Sequence, residues 1–166
     1  LSGRTGGLAA WRARVSAEKR AAILEAALAA FLETGYEGTT LEAVARAAEV
    51  STGTLFKHFP TKAALFGAIV ARAWETEPGT DAPMPAPGAP RAGLLEIGRA
   101  YARLLRAPGT VPLFRVVIAE ARRFPELGNA LYARGKAPYL ERLEGYVAAE
   151  AAAGTLRVAP QERARA

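Results

Sequence analysis

Apolar residues recur at three- and four-residue intervals along most of the chain, and nowhere do they alternate with polar ones as a half-buried strand requires. Ile23, Leu24, Ala27, Leu28 and Phe31 mark the buried stripe of a first helix, predicted to start at a Ser16 cap and to stop at Gly35. After the turn "GYEGTT", Thr39 and Glu42 have capping-box spacing for a short second helix, "LEAVARAAE", with Leu41, Val44, Ala45 and Ala48 inward. Ser51 caps a third helix that ends at Phe59, because Pro60 cannot continue it, and Thr61 caps a fourth that runs to about Trp74. Further helical patterns lie at about 91–106, 111–124, 125–134 and 138–153, separated by Pro108-Gly109, Pro125, Gly135 and Pro138. The predicted fold class is all-α.

Two stretches lack this periodicity. Leu1 to Val15 is rich in Gly and Arg and is expected to be a mobile basic arm, either a tail without function or an arm that seeks DNA. "EPGTDAPMPAPGAP", Glu77 to Pro90, has too much proline and glycine for a helix and is expected to be a flexible connection (77–90) inside the second helical region.

Composition narrows the chemistry. The 166 residues contain no cysteine, so disulfides, thiolate metal sites and a cysteine nucleophile are excluded, and a reducing cytoplasm is the expected location. No apolar run is long enough to span a membrane, and no membrane partner is expected. The first residue is Leu1, so the native start is expected to lie upstream. A net charge of +6 suggests nucleic acid, but residues 1–62 carry only +2, residues 63–90 carry −2 and residues 91–166 carry +6. Locally the balance differs: Arg4, Arg12, Arg14, Lys19 and Arg20 face Glu18 alone, and Ser51 to Lys62 holds no acid.

The third helix carries the sharpest signal. At 100° per residue Leu55 and Phe59 share its buried side, whereas Gly53 and Lys57 lie near the opposite pole with Thr54 and Phe56 on the flanks. A short helix, a tight turn and a second short helix with such a face form a helix-turn-helix, whose second helix enters the major groove. Gly53 would let the backbone approach closely, while Lys57, His58 and Lys62, with the amino end of the fourth helix, would meet phosphates. His58 is the only histidine and Asp81 the only aspartate, so neither metal chelation nor a Ser-His-Asp arrangement is supported; no cofactor and no metal is expected.

"GYEGTTLEAVARAAEVSTGTLFKHFPTKAALF" resembles the amino-terminal signature of the TetR family of transcriptional regulators, and with the first helix the resemblance covers about residues 16 to 70. It implies a homeodomain-like three-helix head over 16–62 and a helical ligand-binding and dimerisation domain over 63–166. It implies Thr40 and Ser51 near phosphates, Thr52, Gly53, Thr54 and Lys57 on bases or adjoining backbone, and His58 and Lys62 on phosphates. Three positions depart from the family pattern. Phe56 replaces the usual tyrosine and can touch a thymine methyl but cannot donate a hydrogen bond. Glu49 stands where glycine is preferred, at a cost of about 1 kcal/mol if left-handed, and Lys57-His58 replaces the commoner aromatic pairs.

The second half offers mostly core. "VPLFRVVIAEARRFPELGNALYARG" is similar to the sensing segment of a subgroup of these regulators, which implies a small-molecule site. Trp74, Tyr101, Phe114, Ile118 and Tyr132 are its candidate apolar lining, with Arg115 and Glu120 either orienting the ligand or forming a surface ion pair. Leu140, Leu143, Val147 and Ala151 line one side of the 138–153 helix, where the resemblance implies a four-helix dimer interface. That bundle normally needs one more helix, so the native chain is expected to extend further. The expectation is a homodimeric repressor of palindromic operator DNA, released by an apolar or amphipathic effector through movement of the fourth helix, and not an enzyme. The alternatives are an all-α carrier or enzyme, and a DNA-binding regulator without a ligand.

Overall fold

The computed structural model describes residues 3–75 and 83–157. Among them the chain forms α1 (Gly3–Gly38), α2 (Leu41–Ala47), α3 (Thr52–His58), α4 (Lys62–Glu75), α5 (Pro90–Arg106), α6 (Thr110–Glu120), α7 (Pro125–Leu131), a π-helical turn (Tyr132–Lys136) and α8 (Ala137–Ala152). No strand occurs among the described residues.

The core begins on α1. Ile23, Leu24, Ala27 and Phe31 are buried there and meet Val44 and Ala45 of α2, Leu55 of α3 and Phe59 beyond it, and Leu65, Phe66, Ile69 and Val70 of α4. Leu113 and Val117 of α6 and Leu127 of α7 belong to the same cluster, so head and body share one continuous hydrophobic interior. Phe31 and Phe66 are fully covered, each contributing about 2–3 kcal/mol of burial.

Away from this cluster, Ile97, Ala100 and Leu104 are buried along α5, and Tyr146 along α8. A β-carbon on Gly93 would fall 2.0 Å from the Tyr146 hydroxyl, so the glycine is what lets α5 receive that ring. Glu150 is fully buried beside it. Its carboxylate accepts from the Tyr146 hydroxyl (2.6 Å), the Gly88 N–H (2.9 Å) and the Thr155 hydroxyl. Burial alone would raise this carboxyl, but bonds from Thr155, Tyr146 and the Gly88 and Ala89 amides outweigh it and hold its pKa below the ordinary glutamate range. The hydrogen bond to Glu150, helped by burial, pushes the Tyr146 phenol up to about 12.

Sequence expectations are corrected at three places. The predicted arm is helical from Gly3, so Ser16 caps nothing and lies in mid-helix. The helix is already nucleated by its buried half, and propagation backward through Ala- and Arg-rich sequence adds one hydrogen bond per residue fixed. Thr40, not Thr39, caps α2, accepting from the Ala43 N–H, while Thr39 is buried and donates to the Gly35 carbonyl at 2.7 Å. The predicted break between Gly135 and Pro138 is absent. Pro138 has no N–H to give, and the register slips just before it, with Ala137 donating to the Tyr132 carbonyl five residues back. Of the predicted connection, residues 77–82 lie outside the described residues; 83–89 are non-helical and α5 starts at Pro90.

Candidate nucleic-acid interface

The α2–α3 unit is built by caps. Thr40 opens α2 through its hydroxyl oxygen, which accepts from Ala43 N–H at 3.1 Å. At the other end Glu49 N–H donates to Arg46 O (3.2 Å) and Val50 N–H to Ala45 O (3.0 Å), which is a Schellman closure. That closure needs a left-handed residue, and Glu49 adopts it with φ 54. Ser51 then opens α3, its oxygen accepting from Thr54 N–H at 3.1 Å and sharing a 2.9 Å contact with the Thr54 hydroxyl.

With Leu55 and Phe59 buried, α3 presents Thr52, Gly53, Phe56 and Lys57 to solvent, and Thr54 and His58 are half-buried on the flanks. Beyond its chain neighbours and the backbone of its own helix, nothing lies within 4 Å of where a Gly53 β-carbon would stand. Thr40 and Ser51 are exposed; their oxygens are used as acceptors, while a hydroxyl keeps a donor that can face a phosphate. α3 has no acid in its first turn and ends in Lys57 and His58, so its outer surface carries cationic and neutral groups only.

Lys62 is placed otherwise than the resemblance implied. Its ammonium donates to the carbonyls of Tyr36 (2.6 Å), Glu37 (3.2 Å) and Thr39 (2.9 Å) and stands 4.7 Å over the Tyr36 ring. All three protons are committed to the end of α1 and the residue just past it, so Lys62 is a clamp within the head.

That clamp closes on a break in α1. Gly35 has φ 75 and ψ 174, which turns the chain before one more helical turn carries Tyr36 to Gly38. The restarted turn leaves its first N–H groups without helical partners. Glu120, at the end of α6, accepts both: Tyr36 N–H at 2.8 Å and Glu37 N–H at 3.1 Å. A β-carbon on Gly35 would fall 2.6 Å from a Glu120 oxygen. Arg123 pairs in bidentate fashion with Glu37, and the Tyr36 hydroxyl donates to Glu126 of α7 at 3.3 Å. Burial, then Glu126, push that phenol up. The head and the second helical half are therefore tied here as well as through α4. Sequence reasoning missed this tie because partners 84 positions apart leave no local signal.

The six candidate ligand residues do not assemble. Trp74 and Tyr101 meet, with ring centroids 6.1 Å apart, but the third ring is Tyr139, 5.9 Å from Trp74 and 5.0 Å from Tyr101. Phe114 is half-buried, whereas Arg115 is exposed, Ile118 is 80% exposed and Tyr132 58%. On α6 the inward side belongs to Leu113 and Val117, and a 3.6-residue period turns Arg115 and Ile118 away from it. A cleft of about 210 Å³ lies elsewhere, between α1, α4 and the α5–α6 junction, lined by Leu24, Leu28, Ile69, Ala73, Pro108 and Leu113. Glu25 and Arg72 also line it and pair at 2.7 Å. Leu140, Leu143, Val147 and Ala151 are all half-buried on α8.

Comparison with known proteins accords with this architecture. Residues 23–69 match the model of bacterial regulatory proteins of the tetR family, and residues 92–166 that of the AefR-like transcriptional repressor C-terminal domain. A TetR-family transcriptional regulator structure from Mesorhizobium loti superposes with a TM-score of 0.67 at 31% identity, over 87% of this chain and 74% of that one. The chain belongs to the TetR family of transcriptional regulators. The structure of the flavonoid-responsive regulator FrrA is similar to it at 28% identity and a TM-score of 0.68, over 85% of this chain and 72% of that one. The transcriptional repressor KstR of Rhodococcus jostii is 43% identical over 58 residues, 35% of this chain. That match spans only about 27% of KstR's length.

Proposed function

We propose that this TetR-family chain acts in the cytoplasm as a homodimeric transcriptional repressor, inserting α3 of each copy into successive major grooves of a palindromic operator. The observation that carries the reading is the outer side of α3, where Gly53 has open space around it, Lys57 is exposed and no acid intervenes. Contacts from Thr40, Ser51, Lys57 and His58 to phosphate would fix register, and Thr52, Gly53, Thr54 and Phe56 would read base edges. Leu140, Leu143, Val147 and Ala151 of α8 are the proposed dimer face. Release follows when an amphipathic effector displaces α4 or α6, both of which hold the head, α4 by its own chain and α6 through Glu120.

The apolar cleft beside α4, with the Glu25–Arg72 pair at its wall, is the proposed effector site. Flavonoids are the first compounds to screen, given the similarity to FrrA. The outward setting of Arg115, Ile118 and Tyr132 supports a second reading, a regulator without effector. A thermal-shift screen separates the two, because a ligand that binds the folded state alone raises the melting temperature.

Mobility-shift titration on duplexes selected from a random pool tests the DNA reading. Lys57→Ala is expected to lower affinity and to reduce the slope of log K against log salt by about 0.9, with the melting temperature unchanged. Lys62→Ala is expected to destabilise the head by about 2 kcal/mol, through three lost bonds to backbone carbonyls. Equal affinity and slope in the parent and Lys57→Ala would remove α3 from the interface.

A further inference from the structure

The amino-terminal part of α1 continues past the core. From Gly7 to Arg20 every residue is exposed except Val15, which is half-buried. Such a stretch would not hold a helix for packing reasons, and it leaves large apolar groups in water: Leu8 is 51% exposed and Trp11 53%. At 100° per residue Leu8, Trp11, Arg12, Val15 and Lys19 fall within an arc of about 100°, so one side of the extension is an apolar stripe bearing two cations. Neither Arg12 nor Lys19 has an acidic partner among the described residues, whereas Arg14, on another side, pairs with Glu18 at 3.6 Å.

Where the extension leaves the head is equally informative. The Arg20 guanidinium stands 5.3 Å over the ring of Phe59, the residue that caps the carboxyl end of α3. The striped helix therefore departs next to the carboxyl end of α3, whose last turn carries Lys57 and His58. Its thirteen steps from Gly7 to Arg20 measure about 20 Å at 1.5 Å each, the length of about six base pairs.

We propose that this helical extension lies along the DNA backbone outside the half-site read by α3. Arg12 and Lys19 sit on phosphates, and the Trp11 ring packs against the sugar edge between them. The occupant is double-stranded DNA because the free charge is cationic, the neighbouring element is the DNA-reading one, and Arg12 and Lys19 stand on one side two helical turns or about 11 Å apart, far enough for each to meet a different phosphate. The proposal rests on the DNA reading of α3 and adds sequence-independent contacts that widen the footprint.

The test uses the full chain and a 40-base-pair duplex carrying a sequence selected by the protein, titrated from low to moderate salt. The double variant Arg12→Gln/Lys19→Gln is expected to reduce the salt slope by about 1.8, equally on selected and arbitrary duplexes, because each lost phosphate contact is worth about 0.9. Iodide quenching of Trp11 fluorescence, identified as the component missing in Trp11→Phe, is expected to fall when duplex is added. The proposal is overturned if the double variant keeps the parent's slope while Lys57→Ala lowers it, a result that leaves the α3 reading standing. It is overturned too if Trp11 stays equally open to iodide on duplex, or becomes shielded only by anionic vesicles. If the parent fails to bind any duplex, both readings fall together.

Discussion

Gly53 sits in the first turn of α3 with no neighbour within 4 Å of its missing side chain, so the protein's own packing does not ask for a glycine there. A helix prefers alanine to glycine by up to about 1 kcal/mol. Gly53→Ala is therefore expected to raise stability by about 0.5–1 kcal/mol in urea unfolding, while weakening operator binding about tenfold, an effect of about 1.4 kcal/mol. Stability and affinity moving in opposite directions is the signature to look for; a parallel loss of both would mean the glycine serves the fold. Glu49 is the reverse case, a residue whose left-handed φ of 54 is demanded by the turn that aims α3. The identities on α3 were legible in sequence because a single helix's period decides which side each faces. The role of Lys62 was not. A lysine at a helix start looks the same whether its ammonium reaches a phosphate or curls onto three carbonyls, and only the proximity of Tyr36, 26 positions away, decides it.

Between elements, the caps written in local sequence were readable: Ser51 and Thr61 cap α3 and α4, with Thr61 accepting from Ala64 N–H at 3.0 Å. Thr39 and Thr40 were exchanged, because adjacent threonines offer the same hydroxyl and only tertiary burial chooses between them. The clasp around Glu150 joins α8 to the segment before α5 and should be visible in the pH dependence of stability. A depressed carboxyl contributes stability above the unfolded glutamate value of about 4.3, and that contribution is lost as pH falls through the lower folded value. Tyr146 has the opposite sign: with its phenol raised to about 12, its share is complete below the unfolded value of 10 and lost as pH rises from there toward 12. Glu150→Gln should flatten the acid limb of a melting-temperature profile; an unchanged limb would show that other carboxylates set it.

Taken as a whole molecule, the second helical half was the less legible part. Its periodicity located α5 to α8, but periodicity cannot tell a residue that lines a cavity from one that meets water, and Ile118 and Tyr132 proved to do the latter. The joint between halves depends on Glu120, and its removal should be felt across the protein. Glu120→Gln leaves one acceptor for two N–H groups and is expected to cost about 1–2 kcal/mol. Hydrogen exchange should accelerate at the Tyr36 and Glu37 amides before it does in the α1 core; uniform acceleration would argue against a local joint. At that joint Tyr36 spends its amide on α6, its carbonyl on α4, its hydroxyl on α7 and its ring among Phe31, Phe66 and Phe124. One inserted residue between Gly35 and Tyr36 would swing that ring by about 100° and break every one of these attachments at once. The corner is therefore closed to length variation, and any drift in chain length among close relatives has to be absorbed in other loops.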